Sequence, residues 1–333
     1  MIRHLEVALF AIFGAIMVSL LIGRYGFDFH DLMSLSKALL AGQELTMKQH
    51  EILFVLIKIR LPRIVAAMLV GAGLAVSGGA YQAMFLNPLV SPGILGVLSG
   101  ASFGAALGIV FFRSMIMTQV LAFCMGCAAV GLAILLSTLV RRSSLLVMLL
   151  GGMISAALFG SLTSLLKFLA DPNKELPELV YWLMGSFARV NEETLLWIGL
   201  PIVGLIIYLS VQGKVANVLS MGDEEALSLG VAVKRTRLQI ILAATLLSAL
   251  TVILTGIVQW VGLVIPHIMR FVVGPDNRVL LPASAIGGAV FMLGTDAVVR
   301  SVSTAELPIG VFTSLVALPL FILSLYVNRR NWK

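Results

Sequence analysis

Ten stretches of about 20 apolar residues, joined by short polar links, constrain the fold of this chain more than any other feature. They lie at roughly 6–23, 64–86, 93–112, 115–140, 144–170, 194–211, 238–258, 260–274, 279–299 and 307–327, the eighth being short. A bilayer core of about 30 Å is crossed by about 20 helical residues. Backbone amides in lipid have no water to bond, so a continuous apolar run there must be helical. Strands of a membrane barrel would alternate apolar and polar residues, whereas these runs are continuous and rich in Leu, Ala, Gly and Met. The expected class is an all-α polytopic membrane protein of about ten transmembrane helices, one domain over residues 1–333. Composition agrees: 12% of residues are charged, against roughly 25% for a soluble surface. That excludes disorder, collagen, coiled coil and a nucleic-acid-binding domain. The net charge of +7 reads as loop charge facing an anionic membrane leaflet.

The first run follows Arg3 and His4 but leads into Gly23-Arg24-Tyr25 without a small-residue cleavage pattern, so it reads as a retained helix. An even number of spans puts both termini on one side. Of the 23 Lys and Arg, 12 fall on that side and 11 on the other, while acids divide 5 to 11. Short basic segments (Arg141-Arg142, Lys234 to Arg237, Arg329-Arg330) make the terminal side cytoplasmic. Residues 24–63 then form an external link, and 171–193 an external loop with a short amphipathic helix whose Tyr181 and Trp182 suit the interface. Residues 212–237 form the longest internal segment. Val218, Leu219, Ala226, Leu229 and Val231 give it short helices with an apolar side, punctuated by Gly222 and Gly230. Asp223 is placed to cap the helix carrying Glu224 and Glu225.

Several motifs have both a functional and a bland reading. Arg60-Leu61-Pro62-Arg63 precedes the second span, where the arginines either serve a partner or snorkel to headgroups. Arg300 lies four residues after Asp296, the spacing of an intrahelical ion pair. Asn87-Pro88-Leu89-Val90-Ser91-Pro92 breaks the helix sharply, either as a functional element or as a tight turn. His267 beside Pro266 lacks ligand partners at useful spacing and reads as a helix-cap histidine. Cys124 and Cys127 read as small buried apolar residues. Gly79-x-x-Gln82 and Gly256-x-x-Gln259 form a faint internal echo, consistent with two inverted halves. The chain has no GxxxxGK[ST] loop, HExxH or GxSxG, and no membrane-embedded carboxylate series. If it moves a solute, the energy comes from elsewhere.

The combination of RLPR, GAGLAVSGGAYQ, NPLVSPGILGVLSGA, DEEALSLGV, GLVIPHIMR, DNRVLLP, DAVVR and ELPIGV, in that order, closely resembles one family across essentially the whole chain. It is the permease subunit of binding-protein-dependent (type II) ABC importers for iron–siderophores, haem and cobalamin, with the vitamin B12 permease as the familiar member and molybdate or tungstate carried in one branch. The resemblance implies an inverted-repeat permease fold and a homodimer with its pathway on the two-fold axis. It also implies two ATP-binding cassette subunits and a periplasmic substrate-binding protein, in a bacterial inner membrane with both termini cytoplasmic. The chain itself would carry no cofactor, no metal and no catalytic residue, with ATP–Mg held by the ATPase.

Residue by residue, the resemblance assigns Arg60, Arg63 and Arg300 to docking the binding protein. Asn87, Leu89, Ser143 and Ser144 fall to the cytoplasmic gate, and Leu219, Gly222, Asp223, Glu224, Ala226, Leu229 and Gly230 to ATPase coupling. Gly152, Met153 and Ala156 are expected to line the pathway. Two rivals are an ion-coupled secondary transporter acting alone and a membrane-embedded enzyme using Ser99 and His267.

Overall fold

The computed structural model describes residues 2–23, 25–140, 145–302 and 306–328, without the side chains of 2–9, 325 and 328. Ser143 and Ser144 lie outside the described residues. All regular structure among those described is helical. The α-helices are α1 (Ile2–Leu21), α2 (Phe29–Leu40), α3 (Met47–Phe54), α4 (Leu61–Met84), α5 (Val97–Leu107), α6 (Met115–Leu139), α7 (Leu145–Leu169) and α8 (Glu175–Met184). They continue as α9 (Glu192–Val211), α10 (Gly213–Leu219), α11 (Asp223–Ser228), α12 (Val233–Thr255), α13 (Val261–Val273), α14 (Asn277–Val302) and α15 (Ile309–Asn328). Wider π turns join α3 to α4 (Val55–Arg60) and extend α5 (Gly108–Phe112), and a 3₁₀ turn (Pro92–Leu95) precedes α5.

The ten apolar runs fall on α1, α4, α5, α6, α7, α9, α12, α13, α14 and α15. Of these, α6, α7, α9, α12 and α14 are long and apolar enough to cross a bilayer, and α1, α5, α13 and α15 carry shorter apolar stretches. Nineteen of the 24 residues of α4 are buried, which makes it the central helix. Lipid is as apolar as Leu, so helices in it associate by close packing and hydrogen bonds, and small residues set the approach distance. A Cβ on Gly71 would overlap the carbonyl of Gly288 on α14, and one on Gly78 the carbonyl of Gly262 on α13. Tyr81 Oη and Thr245 Oγ1 (2.7 Å) and Ser248 Oγ to Ser77 Oγ (2.9 Å) tie α4 to α12. Gly100, Gly104 and Gly108, four apart, bring α5 and its π extension onto the backbone of α6.

Several expectations need correction. The 24–63 link is structured: Asp28 and Asp31 form a capping box on α2, Thr46 and Gln49 another on α3, and Phe27, Leu35 and Ile52 make a small core. Trp182 is buried with Leu179, Val252 and Ile257 rather than interfacial, because Gly256 lets the end of α8 approach. His267 is no cap. It lies inside α13, edge-on to Phe271 (5.0 Å) and Phe321 (5.1 Å). Cys124 is exposed and Cys127 half-buried, because α6 is a peripheral helix. The echoed tetrapeptides occupy unlike places: Gly79 and Gln82 lie inside α4, whereas Gly256 ends α12 and Gln259 falls in the break before α13.

Candidate functional site

At one end of the bundle, α10 and α11 are short because Gly222 (φ 120°) and Gly230 (φ 80°) break the helix. Their apolar side is divided between two surfaces. Ala216, Leu219 and Ala226 belong to the main core, while Met221, Leu227 and Leu229 are each about 60% exposed beside Glu224 and Glu225. Asp223 does not cap α11. It accepts from Arg237 of α12 (Nη2 2.7 Å, Nη1 3.3 Å). The Arg237 guanidinium holds the Asp223 carboxyl below its ordinary pKa. A depressed carboxylate pKa contributes above the ordinary range and is lost only as pH falls through it, so from about pH 8 to pH 6 the pair stays formed.

The opening of α14 meets α10. Asn217 Nδ2 donates to Asp276 Oδ1 (2.6 Å), and Asn217 Oδ1 accepts from the Asn277 amide (2.8 Å). Gly213 lies against the Asn277 carbonyl, where a Cβ would come within 2.6 Å. Arg278 clasps the same carboxylate, its Nη2 at 2.6 Å. Arg278 first, then Asn217, holds the Asp276 carboxyl well below the usual carboxylate range.

Near this end, α4 terminates in the turn of residues 85–91. Asn87 Oδ1 accepts from the Leu89 amide (2.9 Å), closing an Asx turn. Leu86 takes a left-handed conformation (φ 52°), and Leu86 and Leu89 are both exposed. The following 3₁₀ turn is gripped by α7: a Cβ on Gly152 would lie 2.6 Å from the Ile94 carbonyl. Gly152 is therefore a buried packing point and lines no open surface. Ala156 is half-buried, its amide beside Gly96, and Met153 alone of the three is exposed.

The opposite end holds a cluster of charges at the junction of α1, α4 and α14. Arg63 Nε donates to Asp296 Oδ1 (2.9 Å), and Arg63 Nη1 to Glu306 Oε1 (2.7 Å). Arg300 Nε lies 2.9 Å from Asp296 Oδ2. Arg300 also donates to the carbonyls of Ile22 (2.8 Å) and Ser19 (3.1 Å), and Arg60 to those of Tyr25 (2.7 Å) and Leu20. The last carbonyls of a helix have no partner within it. Arg60 and Arg300 supply one to the end of α1, where the helix dipole also favours a cation. Phe27 stacks on the Arg60 guanidinium (4.0 Å), and Gly23 leaves room for it. The structure thus turns all three arginines inward, each no more than 8% exposed. Nearby on the surface, Lys58, Arg113 and Arg189 are exposed.

The described residues thus form an all-helical bundle that carries a tethered pair of short helices at one end, with a helix break beside it. Residues 9–327 match the FecCD transport family. This chain belongs to that family. It is 40% identical over 317 residues to the molybdate import system permease protein MolB of Haemophilus influenzae, covering 94% of this chain and 92% of the relative. It is 36% identical to the hemin transport system permease protein HmuU of Yersinia pestis, covering 80% and 81%. It is 37% identical to the vitamin B12 import system permease protein BtuC of Vibrio cholerae, covering 81% and 82%. Among solved structures, an inward-facing metal-chelate type ABC transporter superposes with a TM-score of 0.88 at 37% identity, over 98% of this chain and 99% of that one.

Several contacts of this FecCD permease lie beyond what local sequence patterns show. Asp296 was visible as the Arg300 partner, yet its bond to Arg63 spans 233 residues. Leu227 and Met221 escaped because the apolar pattern alone does not say which hydrophobic side faces the core. Asn217 carried no signal at all, since its partner is 59 residues away.

Proposed function

We propose that this FecCD permease is the transmembrane subunit of a binding-protein-dependent ABC importer that carries a metal-containing solute into the cytoplasm. Two copies form the pathway, two ATP-binding cassette subunits hold ATP–Mg beneath, and a periplasmic binding protein delivers the solute. The complex sits in a bacterial inner membrane with α10, α11 and both termini cytoplasmic. The solute belongs to the class of iron–siderophores, haem, cobalamin or molybdate and tungstate, and the delivering protein selects among them. The observation that carries this reading is the exposed patch of Leu227 on α11 with Met221 and Leu229 at its two ends, in a segment whose helices are too short to cross a membrane and which joins α9 to α12, both long enough to do so. ATP closes the ATPase dimer, the patch is pushed, and the bundle shifts between two arrangements that the ATPase binds differently. The Asn87–Leu89 turn lies at the cytoplasmic mouth.

Co-purification with an ATPase chain, followed by ATP-dependent uptake in proteoliposomes, tests this against an ion-coupled carrier working alone. Uptake by the isolated chain without nucleotide sinks the proposal. Leu229→Asp places a carboxylate in the apolar seat and is expected to lower uptake by about tenfold or more while ATP is still hydrolysed, since a desolvated unpaired charge at an interface costs several kcal/mol.

The binding protein is placed on the face carrying α2, α3 and α8. With Arg60, Arg63 and Arg300 committed inward, the exposed cations there include Arg189, and Lys58 and Arg113, whose pairs with Glu192 (2.8 Å) and Glu175 (2.6 Å) are exposed enough for a partner's carboxylates to compete with them. Lys58→Glu with Arg189→Glu is expected to weaken docking most at low salt, because exposed pairs act through on-rate and are screened. An unchanged dissociation constant at low ionic strength rejects that surface.

A further inference from the structure

We propose that the Asn217–Asp276 junction is the joint through which movement of α10 and α11 reaches α14, which makes Asn217 a positioning residue for transport. The inference rests on the ATPase coupling proposed above and names the contact that transmits it.

The coupling patch is exposed, so its displacement does nothing unless something carries it into the bundle. Two polar ties leave the segment. The first, Asp223 to Arg237, joins α11 to α12, but the Asp223 side chain is more than half exposed, and water weakens such pairs. The second is Asn217, half-buried, whose side-chain amide uses both ends at once: its NH₂ on the Asp276 carboxylate and its oxygen on the Asn277 amide. That amide is one of the donors left free at the start of α14. Asn217 therefore completes the helix it would push. Gly213 removes the Cβ that would otherwise hold the backbones of α10 and α14 apart. Arg278, itself more than half exposed, also grips that carboxylate, with bonds of 2.6 to 3.0 Å.

From this joint α14 runs 26 residues, about 39 Å at 1.5 Å per residue. Its far end carries Asp296 and Arg300, bonded to Arg63 of α4 and to the last carbonyls of α1. The Gly288 contact with Gly71 lies between. A rod tied at both ends by polar bonds, and pressed against its neighbour by backbone contact, passes an axial or tilting movement along its length. A rod tied at one end only would slip.

The test uses the permease assembled with its ATPase subunits in liposomes, in a Cys124→Ser, Cys127→Ala background. Spin labels are placed at Val302→Cys and Leu169→Cys, both exposed and at the Arg300 end. The parent is expected to change the label distance when ATP is added. Asn217→Leu is expected to abolish that change while ATP hydrolysis stays within about twofold and the ATPase still co-purifies, because coupling is lost rather than binding.

Asn217→Asp sets two carboxylates against each other at about pH 8 and should behave like Asn217→Leu. Exchanging the two groups, Asn217→Asp with Asp276→Asn, again sets one amide donor against one carboxylate, and the distance change should return; if it does not, the joint is wrong. A merely structural role would not produce that recovery. If both single variants respond to ATP as the parent does, the joint is wrong. If hydrolysis and movement fall together, Asn217 seats the ATPase instead of transmitting, and the inference fails. A parent that ignores ATP overturns the coupling reading itself, and the joint with it.

Discussion

Gly78→Leu should leave no folded permease to purify. Even one carbon at this position would overlap the Gly262 carbonyl, and that carbonyl belongs to a helix backbone that has no rotamer to escape into. Overpacking against side chains typically costs about 1–3 kcal/mol because side chains repack. Here the only relief is to drive α13 away from α4. That would open the Gln82 contact with the Leu263 carbonyl (3.1 Å) and expose α4, the most buried helix, over its middle. Gly71→Leu meets the Gly288 carbonyl and should fail in the same way. Gly131→Leu on α6 and Gly204→Leu on α9 are the controls: nothing lies within 4 Å of either added Cβ, and both positions are exposed. Both control variants should elute as single detergent-solubilised species and melt near the parent. Parent-like elution and melting of Gly78→Leu would show that the helices are not in the backbone contact described.

The same glycines show what the sequence could and could not tell. The small-residue run from Gly71 to Gln82 stood in the sequence only as part of a family resemblance, yet its glycines are where α4 meets α13 and α14 backbone to backbone. The ten apolar runs became helices for a local reason, the lack of water for the backbone. What stayed hidden depends on direction or distance. Leu219 and Leu229 look alike in the sequence, yet one packs in the core and the other is exposed, because Gly222 turns the chain between them. Gly152 read as a pathway residue since it is small and sits in an apolar helix. Its real neighbour is the Ile94 carbonyl, a contact set by how α7 crosses the 3₁₀ turn. The capping boxes at Asp28 and Thr46 were short-range signals within a segment read only as a link. The arginines are the instructive case. Position and resemblance put Arg60, Arg63 and Arg300 together at one end, and the structure does so. Asp296 shows beside Arg300 by helical spacing, but the bond of Arg63 to the same carboxylate and those of Arg60 and Arg300 to carbonyls at the end of α1 join residues far apart in the chain, and no local pattern reveals them.

Those partners lead to the second large effect. Asp296 has no exposed surface and lies between Arg63 and Arg300. Asp296→Asn keeps the shape and removes the charge, leaving Glu306 as the one carboxylate bonded in the cluster and Arg300 without its acid. Breaking a buried pair by removing one partner costs about 3–5 kcal/mol, since the remaining charge is stranded. The purified permease alone, with no binding protein present, should therefore melt several degrees lower. The loosening should begin at α1, because Arg300 holds its last turn through Ser19 and Ile22. Hydrogen exchange at the end of α1 is the local readout. Adding Arg300→Met to Asp296→Asn removes the charge left stranded, so the double variant should be more stable than the sum of the single losses, with a coupling of about 1–3 kcal/mol. Arginines kept free for a partner protein predict something else: Asp296→Asn would leave melting and exchange unchanged and alter only docking. If that is the result, the ion cluster contributes nothing to the fold. If α1 loosens as expected, the arginines hold the permease together before any partner arrives, and a docking carboxylate has to compete with Asp296 and the end of α1 for them.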